Sequence, residues 1–160
     1  MRNVADKKTS GTKQIADNRK AYHEYFVLEK FECGIELCGT EVKGIRNGSV
    51  NMKDAWCAIE DGECWVKGMH ISPYEKGNIF NHDPRRERRL LLHRREIDRL
   101  YGQVKQEGLT LIPLSLYFKG SRVKLCMGLC KGKKLYDKRD DMAKKAAQRD
   151  IDRAMKDSNR

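Results

Sequence analysis

The dipeptide Asp61-Gly62 separates two apolar-rich runs, AWCAIE (55–60) and ECWVKGMHI (63–71). An aspartate followed by a glycine accepts the positive φ angles that a type I′ turn requires at both central positions. A second pair of apolar runs, LTLIPLSLYF (109–118) and RVKLCMGLC (122–130), is joined by the short polar segment KGS. The sequence therefore predicts two antiparallel hairpins, which any fold of this chain must contain.

Further strand signals precede and separate these hairpins. The segment YFVLEKFECGIELCGTEVKGIR (25–46) is rich in β-branched and aromatic residues and predicts two strands, with Gly34 and Gly39 as bends or bulges. The polar segment SPYEKGNIFNHDP (72–84) contains two prolines and predicts a long loop. These signals predict a mainly β domain of roughly six antiparallel strands.

Two helical signals accompany the strands. The segment NRKAYHEY (18–25) predicts a short helix capped by Asn18 or Asp17. The segment RREIDRLYGQVKQEG (94–108) has apolar residues at helical spacing and ends at Gly108. A small closed antiparallel β-barrel with flanking helices fits this pattern, because closure leaves no sheet edge exposed. A partly open sandwich is the alternative.

The formal net charge of +11 is concentrated at the ends of the chain. Residues 1–20 carry 6 basic and 2 acidic side chains, residues 21–130 carry 17 and 15, and residues 131–160 carry 11 and 6. Basic extensions on a nearly neutral body are typical of proteins that bind a polyanion, because each neutralised phosphate releases counterions. We expect residues 1–17 to be disordered and residues 18–130 to form a nucleic-acid-binding domain.

The C-terminal tail, residues 131–160, opens with KGKKLYDKRDD and contains few large apolar side chains. Its remaining residues favour a helix, but Ala147, Ile151, Ala154 and Met155 form only a thin apolar stripe. Isolated helices of this length are marginally stable in water. We therefore expect the tail to be disordered in the free protein and to become helical when nucleic acid supplies the counter-charge.

Other classes of protein are disfavoured by the sequence. No segment approaches the roughly 18 apolar residues of a spanning helix, and the N-terminal residues lack the apolar run of a signal peptide, so we expect a cytoplasmic protein without a membrane partner. The six cysteines include no C-x2-C pair and are interpreted as buried thiols, with a redox or metal role as the alternative. The four histidines are scattered, and we expect no catalysis and no cofactor.

The densest charge in the body lies in the arginine-rich segment DPRRERRLLLHRREIDR (83–99). Arginine grips phosphate bidentately and stacks on bases, which favours a binding surface over a solvated helix face. The three leucines of LLLH (90–93) cannot all face the core if this segment is regular, so at least one should be exposed beside the arginines, where it can contact an unstacked base. An irregular segment that buries all three is the alternative. Glu32 and Glu41 either pair with nearby cations or accept hydrogen bonds from base amino groups.

Four blocks of the sequence resemble a known family in their order and spacing. They are NRKAYHEYFVLEKFECGIELCGTEVKGIR (18–46), GNIFNHDPRRERRLLLH (77–93), GLTLIPLSLYFKG (108–120) and KGKKLYDKR (131–139). Together they closely resemble the bacterial small protein B (SmpB) family, the SsrA-binding proteins that partner transfer-messenger RNA (tmRNA). The resemblance implies a closed β-barrel of the oligonucleotide-binding type that binds the tRNA-like domain of tmRNA.

The resemblance also implies a cellular task, which is the rescue of stalled ribosomes by trans-translation and peptide tagging. The tail is then expected to enter the empty mRNA channel and the decoding centre of the small ribosomal subunit, where rRNA is its partner. Elongation factor Tu carries the alanyl-tmRNA, and the protein itself catalyses nothing. We expect a monomer. A general RNA chaperone of barrel type is the alternative function, and a cysteine-dependent metal enzyme is a second one.

The resemblance assigns roles to particular residues. The implied tmRNA-binding residues are Glu32, Leu91 and His93, together with Asn18, Lys20 and His23 from the N-terminal block, and we add Arg89 from the arginine-rich segment. The implied decoding-centre residues are Lys131, Gly132, Lys133, Lys134, Tyr136, Asp137, Lys138 and Arg139.

Overall fold

The structure is a computed structural model that describes residues 12–72 and 83–158, with residues 135 and 136 described by their backbone alone. Within these ranges the chain forms nine strands and four helices. The strands are β1 (Thr12–Asp17), β2 (Tyr25–Ile35), β3 (Val50–Asn51), β4 (Trp56–Glu60), β5 (Glu63–Lys67), β6 (His70–Ile71), β7 (Arg88–Leu91), β8 (Thr110–Lys119) and β9 (Arg122–Gly132). The helices are α1 (Arg19–Glu24), α2 (Gly39–Arg46), α3 (Arg94–Glu107) and α4 (Leu135–Ser158). Most of the predicted loop 72–84 lies outside the described residues.

The strands form one large antiparallel sheet and one small two-stranded sheet. The large sheet has the order β1-β8-β4-β5-β7-β2-β9, and β8 also pairs with β9. The hydrogen-bonded pairing therefore runs from β8 through β4, β5, β7, β2 and β9 and returns to β8. The small sheet joins β3 to β6. The prediction of a mainly β, antiparallel fold with flanking helices is confirmed.

Both predicted hairpins are present. Strands β4 and β5 pair from Trp56 opposite Lys67 to Glu60 opposite Glu63. Asp61 and Gly62 connect them with φ angles of 53° and 75°, as a type I′ turn requires. Strands β8 and β9 pair along nearly their whole lengths and meet at a turn in which the φ angle of Gly120 is 63°.

The two predicted helices form where the capping signals indicated. The side-chain oxygen of Asn18 accepts a hydrogen bond from the backbone N–H of Ala21 at 3.4 Å and caps α1. Helix α3 buries Ile97 and Leu100 and ends at Gly108, whose left-handed φ angle of 65° suits a glycine. No helix in the described residues is long and apolar enough to span a membrane.

The core is formed by side chains from the large sheet and from α3. Its buried side chains come from β2, β4, β5, β7, β8, β9 and α3, and include Phe31, Cys33, Cys57, Val66, Leu90, Leu100, Leu111, Leu116, Leu125, Met127 and Leu129. A smaller cluster of Ala21, Ile112, Leu114 and Cys130 packs α1 against β8 and β9. Burial of this apolar surface is the main force that stabilises the domain.

The cysteines contribute to this core as free thiols. Cys33, Cys57, Cys64 and Cys130 are buried, and Cys38 and Cys126 are half-buried. Burial raises the pKa of Cys64 to about 12 and that of Cys130 to about 11. A thiol with so high a pKa stays protonated and is a poor nucleophile and a poor metal ligand. The interpretation as buried thiols holds for these four residues.

The N-terminal segment differs in part from the prediction. Residues 12–17, expected to be disordered, form β1, which pairs with β8 from Thr12 opposite Lys119 to Asp17 opposite Ser115. The signal was missed because this strand is ordered by a partner about one hundred residues later in the chain, not by its own composition. Residues 1–11 lie outside the described part of the chain.

The segment after β2 also differs from the prediction. Residues 25–46 were expected to form two strands, but only Tyr25–Ile35 is a strand, and Gly39–Arg46 form α2. The backbone N–H of Cys38 donates to the Glu41 carboxylate at 2.9 Å, which satisfies one donor at the start of this helix. The β-branched residues of the segment favoured a strand locally, and this helix cap together with tertiary contacts of Glu41 outweighs that preference.

The basic tail continues β9 and then forms a long helix. Strand β9 extends through Lys131 and Gly132, and residues 135–158 form the continuous helix α4. From Met142 to Ser158 the side chains are exposed, including Met142, Ile151 and Met155 at 58%, 53% and 61%. The helix agrees with the predicted helical propensity of the tail, and the disorder of the tail in the free protein stays a prediction.

Candidate nucleic-acid interface

Four of the predicted binding residues lie together in one cleft. Glu32 on β2, Arg89 and Leu91 on β7, and His93 at the start of α3 line a cleft of about 440 Å³. The other residues that line it are Gly34, Glu63, Leu90, Leu92, Glu96 and Lys124. The cleft thus combines an exposed apolar side chain, an imidazole, two cations and three carboxylates.

The alternation of β7 explains why Leu91 faces the cleft. Arg88 and Leu90 point inward and are 0% and 1% exposed, so Leu91 points outward and is 47% exposed. Leu91 pairs with Gly34 on β2, where an added Cβ would lie 3.1 Å from the Leu91 Cβ. A larger residue at position 34 would therefore push on Leu91. The prediction that one leucine of LLLH is exposed is confirmed.

Glu32 is held by two side chains from β8. The Tyr117 hydroxyl donates to Glu32 Oε2 at 2.5 Å, and the Lys119 ammonium donates to Glu32 Oε1 at 3.1 Å. The hydrogen bond from Tyr117, helped by Lys119 and Lys124, lowers the pKa of the Glu32 carboxyl below its usual value. Glu32 therefore remains an ionised acceptor over the physiological pH range.

Arg89 and His93 differ in how freely they can meet a ligand. The Arg89 guanidinium contacts Glu36 Oε1 at 2.5 Å and Glu63 Oε2 at 3.5 Å, so much of its charge is balanced within the protein. Its Nε is buried and has no hydrogen-bond partner among the described residues. His93 occupies the N-cap position of α3 without a side-chain capping bond and is exposed. The imidazole is thus available to a ligand, whereas Arg89 is restrained.

Other arginines of the same segment are not a binding surface. Arg88 is fully buried, and its guanidinium contacts the Glu41 carboxylate at 2.6 Å and the carbonyl oxygens of Met69 and Pro84 at 2.9 and 3.0 Å. Arg86 donates to the same carboxylate through Nε at 3.2 Å. The interpretation of the arginine-rich segment as a phosphate-gripping surface is therefore wrong for these two residues, because Glu41 pairs with both.

This buried network also decides the role of Glu41. Burial would raise the pKa of the Glu41 carboxyl, but hydrogen bonds from Arg86, the Cys38 backbone and Arg88 outweigh burial and lower it. Glu41 is 6% exposed and joins α2 to the segment before β7. Of the two glutamates considered from the sequence, Glu41 supports the fold and Glu32 lines the cleft.

The N-terminal residues predicted to bind RNA lie outside this cleft. Asn18 is 3% exposed, and its amide nitrogen donates to the Pro113 carbonyl oxygen at 2.9 Å while its oxygen caps α1. Its side chain therefore serves the fold. Lys20 pairs with Asp54 at 3.1 Å on the surface, and His23 is exposed on α1. These two remain accessible to a partner.

The predicted decoding-centre residues lie where β9 gives way to α4. Lys131, Gly132, Lys134 and Arg139 are exposed, and Asp137 accepts a hydrogen bond from the Lys134 backbone N–H at 3.2 Å. Lys138 is half-buried, and the Tyr136 side chain lies outside the described part of the structure. The members of this group whose side chains are described do not line the cleft.

Lys133 differs from the rest of this group because its side chain is only 5% exposed. Its ammonium donates to Asp141 and to the Tyr22 carbonyl oxygen, the latter at 3.1 Å, and lies 5.0 Å from the centre of the Phe26 ring. Its backbone N–H donates to the Glu24 carbonyl oxygen at 2.9 Å. Lys133 therefore connects the start of α4 to α1 and β2.

Tyr117, Lys119 and Lys124, which lie close to Glu32, were not among the predicted site residues. The predicted β8–β9 hairpin implies that Tyr117 lies opposite Lys124, a register the structure has. Nothing local shows that β2 pairs with the other side of β9, where Glu32 lies opposite Cys126. Among the described residues, no group of three or more His, Cys, Asp or Glu side chains is placed to hold a metal ion.

The fold and the cleft define a small, basic, mainly antiparallel β protein with an exposed mixed-charge cleft and a charged helical extension. The family model described as "SmpB protein" matches residues 15–157. The chain therefore belongs to the SmpB family. This agrees with the resemblance seen in the four sequence blocks.

Individual relatives agree with this assignment. An SsrA-binding protein from Carboxydothermus hydrogenoformans is 60% identical over 144 residues, which cover 90% of this chain and 97% of the relative. An SsrA-binding protein from Clostridium beijerinckii is 63% identical over 146 residues, covering 91% and 94%. A chain in a solved structure described as "tmRNA-SmpB: a journey to the center of the bacterial ribosome" is 47% identical, with a TM-score of 0.64 and coverage of 78% of this chain and 91% of that chain.

Proposed function

We propose that this protein binds tmRNA and delivers it to stalled ribosomes for trans-translation. The observation that carries the proposal is identity of about 60% with SsrA-binding proteins over at least nine-tenths of both chains. The similarity to a chain from a structure of tmRNA and SmpB in the bacterial ribosome supports the same partners. The net charge of +11 suits an RNA partner.

We further propose that the strand ring is a closed barrel of the oligonucleotide-binding type. The additional pairing of β9 with β8, which connects the last strand of the order back to the second, supports closure. The cleft then lies on the outer surface of this barrel and binds the tRNA-like domain of tmRNA. Leu91 contacts an unstacked base, His93 offers a hydrogen bond, and Lys124 contributes positive charge.

The tail serves a second step in this proposal. The exposed basic residues at the start of α4 contact rRNA in the decoding centre, and the helix occupies the empty mRNA channel. Elongation factor Tu brings the alanyl-tmRNA, so the protein acts as a monomeric RNA adaptor without catalysis of its own. Because ribosomes are its site of action, the cytoplasm is its compartment.

The test is a binding titration with a transcript of the tRNA-like domain at fixed salt. Leu91→Asp places a negative charge on the proposed base-contacting surface and is expected to weaken binding at least tenfold. Leu28→Asp is the matched control, because Leu28 is a similarly exposed leucine on β2 that does not line the cleft. Equal affinity of the two variants would contradict the proposed surface.

A competition experiment separates this function from a general RNA chaperone. Unrelated structured RNA at the same nucleotide concentration should displace the tRNA-like domain poorly if tmRNA is the specific partner. Displacement at equal concentration would favour the chaperone. Sequencing of the RNA that co-purifies with the native protein gives an independent answer, with tmRNA expected as the dominant species.

A further inference from the structure

Glu32 is an ionised carboxylate in a cleft that we propose binds a polyanion, and its contacts call for an explanation. An ionised carboxylate in a cleft for RNA repels phosphate, yet Tyr117 and Lys119 both donate hydrogen bonds that keep Glu32 ionised. Lys119 balances part of this charge, and the two bonds from β8 hold the carboxylate in place where it lines the cleft. An acceptor fixed in this position suits a ligand group that donates hydrogen bonds.

The geometry leaves Glu32 with acceptor capacity for such a group. A carboxylate offers about four lone-pair directions, two on each oxygen. Tyr117 uses one on Oε2 and Lys119 uses one on Oε1, so each oxygen retains another. Both contacts come from β8, whereas the cleft that Glu32 lines is formed mainly by β2, β7 and the start of α3. Both oxygens can thus accept from a ligand in the cleft.

In RNA, groups with two N–H donors are found on the base edges, whereas the ribose 2′-hydroxyl offers a single O–H donor and the phosphates offer none. Adenine, cytosine and guanine present an exocyclic amino group, which a carboxylate accepts from when the base is unpaired. The exposed Leu91 in the same cleft supplies an apolar surface for the base plane. A carboxylate and a leucine in one cleft match an unstacked base better than a stretch of backbone.

We propose that Tyr117 is a positioning residue that, with Lys119, fixes the Glu32 carboxylate as the acceptor for the amino group of an unpaired nucleobase. This inference rests on the proposed function, since it concerns the same RNA surface, and it names the chemical group which that surface reads. Tyr117 acts through Glu32 and does not itself contact the base.

Several other titratable or charged groups lie near Glu32 and bear on any pH experiment. They are Tyr117 and Lys119 on β8, Lys124 and Cys126 on β9, Cys33 on β2, Glu63 on β5, Arg89 on β7, His93 at the N-cap of α3, and Glu96 on α3. A comparison of the parent protein with variants that differ from it only at Glu32 or Tyr117 keeps all the remaining groups constant and isolates the contribution of Glu32.

The first variant is Tyr117→Phe, which retains the ring and removes only the hydroxyl. At neutral pH we expect roughly three- to tenfold weaker binding of the tRNA-like domain, as for loss of one hydrogen bond that orients a charged group. Without the donor that lowers the pKa of Glu32, the loss of binding on acidification should begin at a higher pH than in the parent protein. Tyr101→Phe on the exposed face of α3 is the matched control and should change neither quantity.

The second variant is Glu32→Gln, which preserves the size of the side chain and removes its charge. If Glu32 accepts from a base, binding weakens by roughly tenfold or more, and the dependence of affinity on salt keeps its slope because no phosphate contact is lost. If the carboxylate only repels phosphate, Glu32→Gln binds more tightly, and the proposal is overturned. The proposal is also overturned if Tyr117→Phe binds with the affinity of the parent protein and loses binding at the same acidic pH.

Leu91→Asp separates failure of this inference from failure of the proposed function. If Leu91→Asp binds more weakly while Tyr117→Phe and Glu32→Gln bind as the parent does, the inference about Tyr117 is wrong but the RNA-binding surface is supported. Unchanged binding by all three variants removes the surface itself. Lys119→Met provides a second test of the positioning idea if Tyr117→Phe folds poorly, with the same direction of change expected.

Discussion

At the scale of single residues, the pairing of Glu41 with Arg88 is the strongest candidate for a stabilising polar contact. Both are almost fully buried, so removing either partner leaves the other charge without compensation. We predict that Glu41→Gln lowers the free energy of unfolding by about 3–5 kcal/mol, the usual cost of breaking a buried pair. Urea denaturation measures this directly. Arg85→Ala, at an exposed position in the same segment, should change stability by less than about 0.5 kcal/mol.

The pH dependence of Glu41→Gln provides a check on the mechanism. The pKa of Glu41 is lowered in the folded protein, so its ionisation stabilises the fold above the pKa of the unfolded chain. That contribution is lost as the pH falls through the lower, folded value. The parent protein should therefore lose more stability than Glu41→Gln between neutral and acidic pH. Parallel pH profiles would show that the pair adds nothing to acid sensitivity.

The same residues show which side-chain orientations can be predicted from the sequence and which cannot. Alternation along RRLL (88–91) is visible in the sequence and correctly implies one exposed leucine. The sequence does not show which arginine faces inward, because that choice depends on Glu41, which lies 47 residues earlier. An arginine-rich segment therefore looked like a uniform surface, although it contributes two arginines to a buried network and one to the cleft.

At the scale of elements, the direction of α4 depends on Lys133. Helix α4 has few packed side chains, and the contacts of Lys133 with Asp141, Tyr22 and Phe26 tie its start to the body. We predict that Lys133→Met increases amide hydrogen exchange across residues 137–141, because the helix then lacks this attachment. Hydrogen-exchange mass spectrometry measures the change.

Lys134→Met is the control for this prediction, because Lys134 is the exposed neighbour and donates to Asp137 through its backbone alone among the described contacts. Equal exchange in both variants would show that Lys133 does not anchor the helix. The far end of α4 should exchange rapidly in every variant, since its exposed side chains leave it only marginal helix stability. Rapid exchange at this end of α4 is what the predicted disorder of the tail implies, and protection of these amides would contradict that prediction.

Elements with local signals were predicted well, and elements that depend on distant partners were not. The hairpins at Asp61-Gly62 and Gly120 and the end of α3 at Gly108 are set by turn and cap chemistry within a few residues. Strand β1 needs β8, and α2 needs its buried contacts with Arg86 and Arg88. A local pattern cannot report either partner, and this is why both segments were assigned wrongly.

At the scale of the whole molecule, the charge distribution divides the protein into two parts. Residues 21–130 carry an excess of only 2 positive charges, whereas residues 131–160 carry an excess of 5 on fewer than a third as many residues. In the proposed function, the body therefore selects its ligand through the shape and hydrogen bonding of the cleft and not through net charge. The basic tail is suited to bind any dense array of phosphates. Its specificity then depends on the position in which the bound body places it.

This division predicts that the two activities can be separated by mutation. Tyr136→Ala, or neutralisation of Asp137, Lys138 and Arg139, should leave affinity for the tRNA-like domain within about twofold. Of these residues, Asp137, Lys138 and Arg139 are described with their side chains and do not line the cleft. The same variants should abolish peptide tagging in a reconstituted translation system with stalled ribosomes, because a stacking aromatic and its neighbouring charges are lost from the decoding centre. Leu91→Asp should show the opposite behaviour. It should weaken RNA binding, and excess protein should restore part of the tagging activity. If the tail variants lose RNA binding and tagging to the same extent, the tail is an RNA anchor for the body and has no separate task on the ribosome.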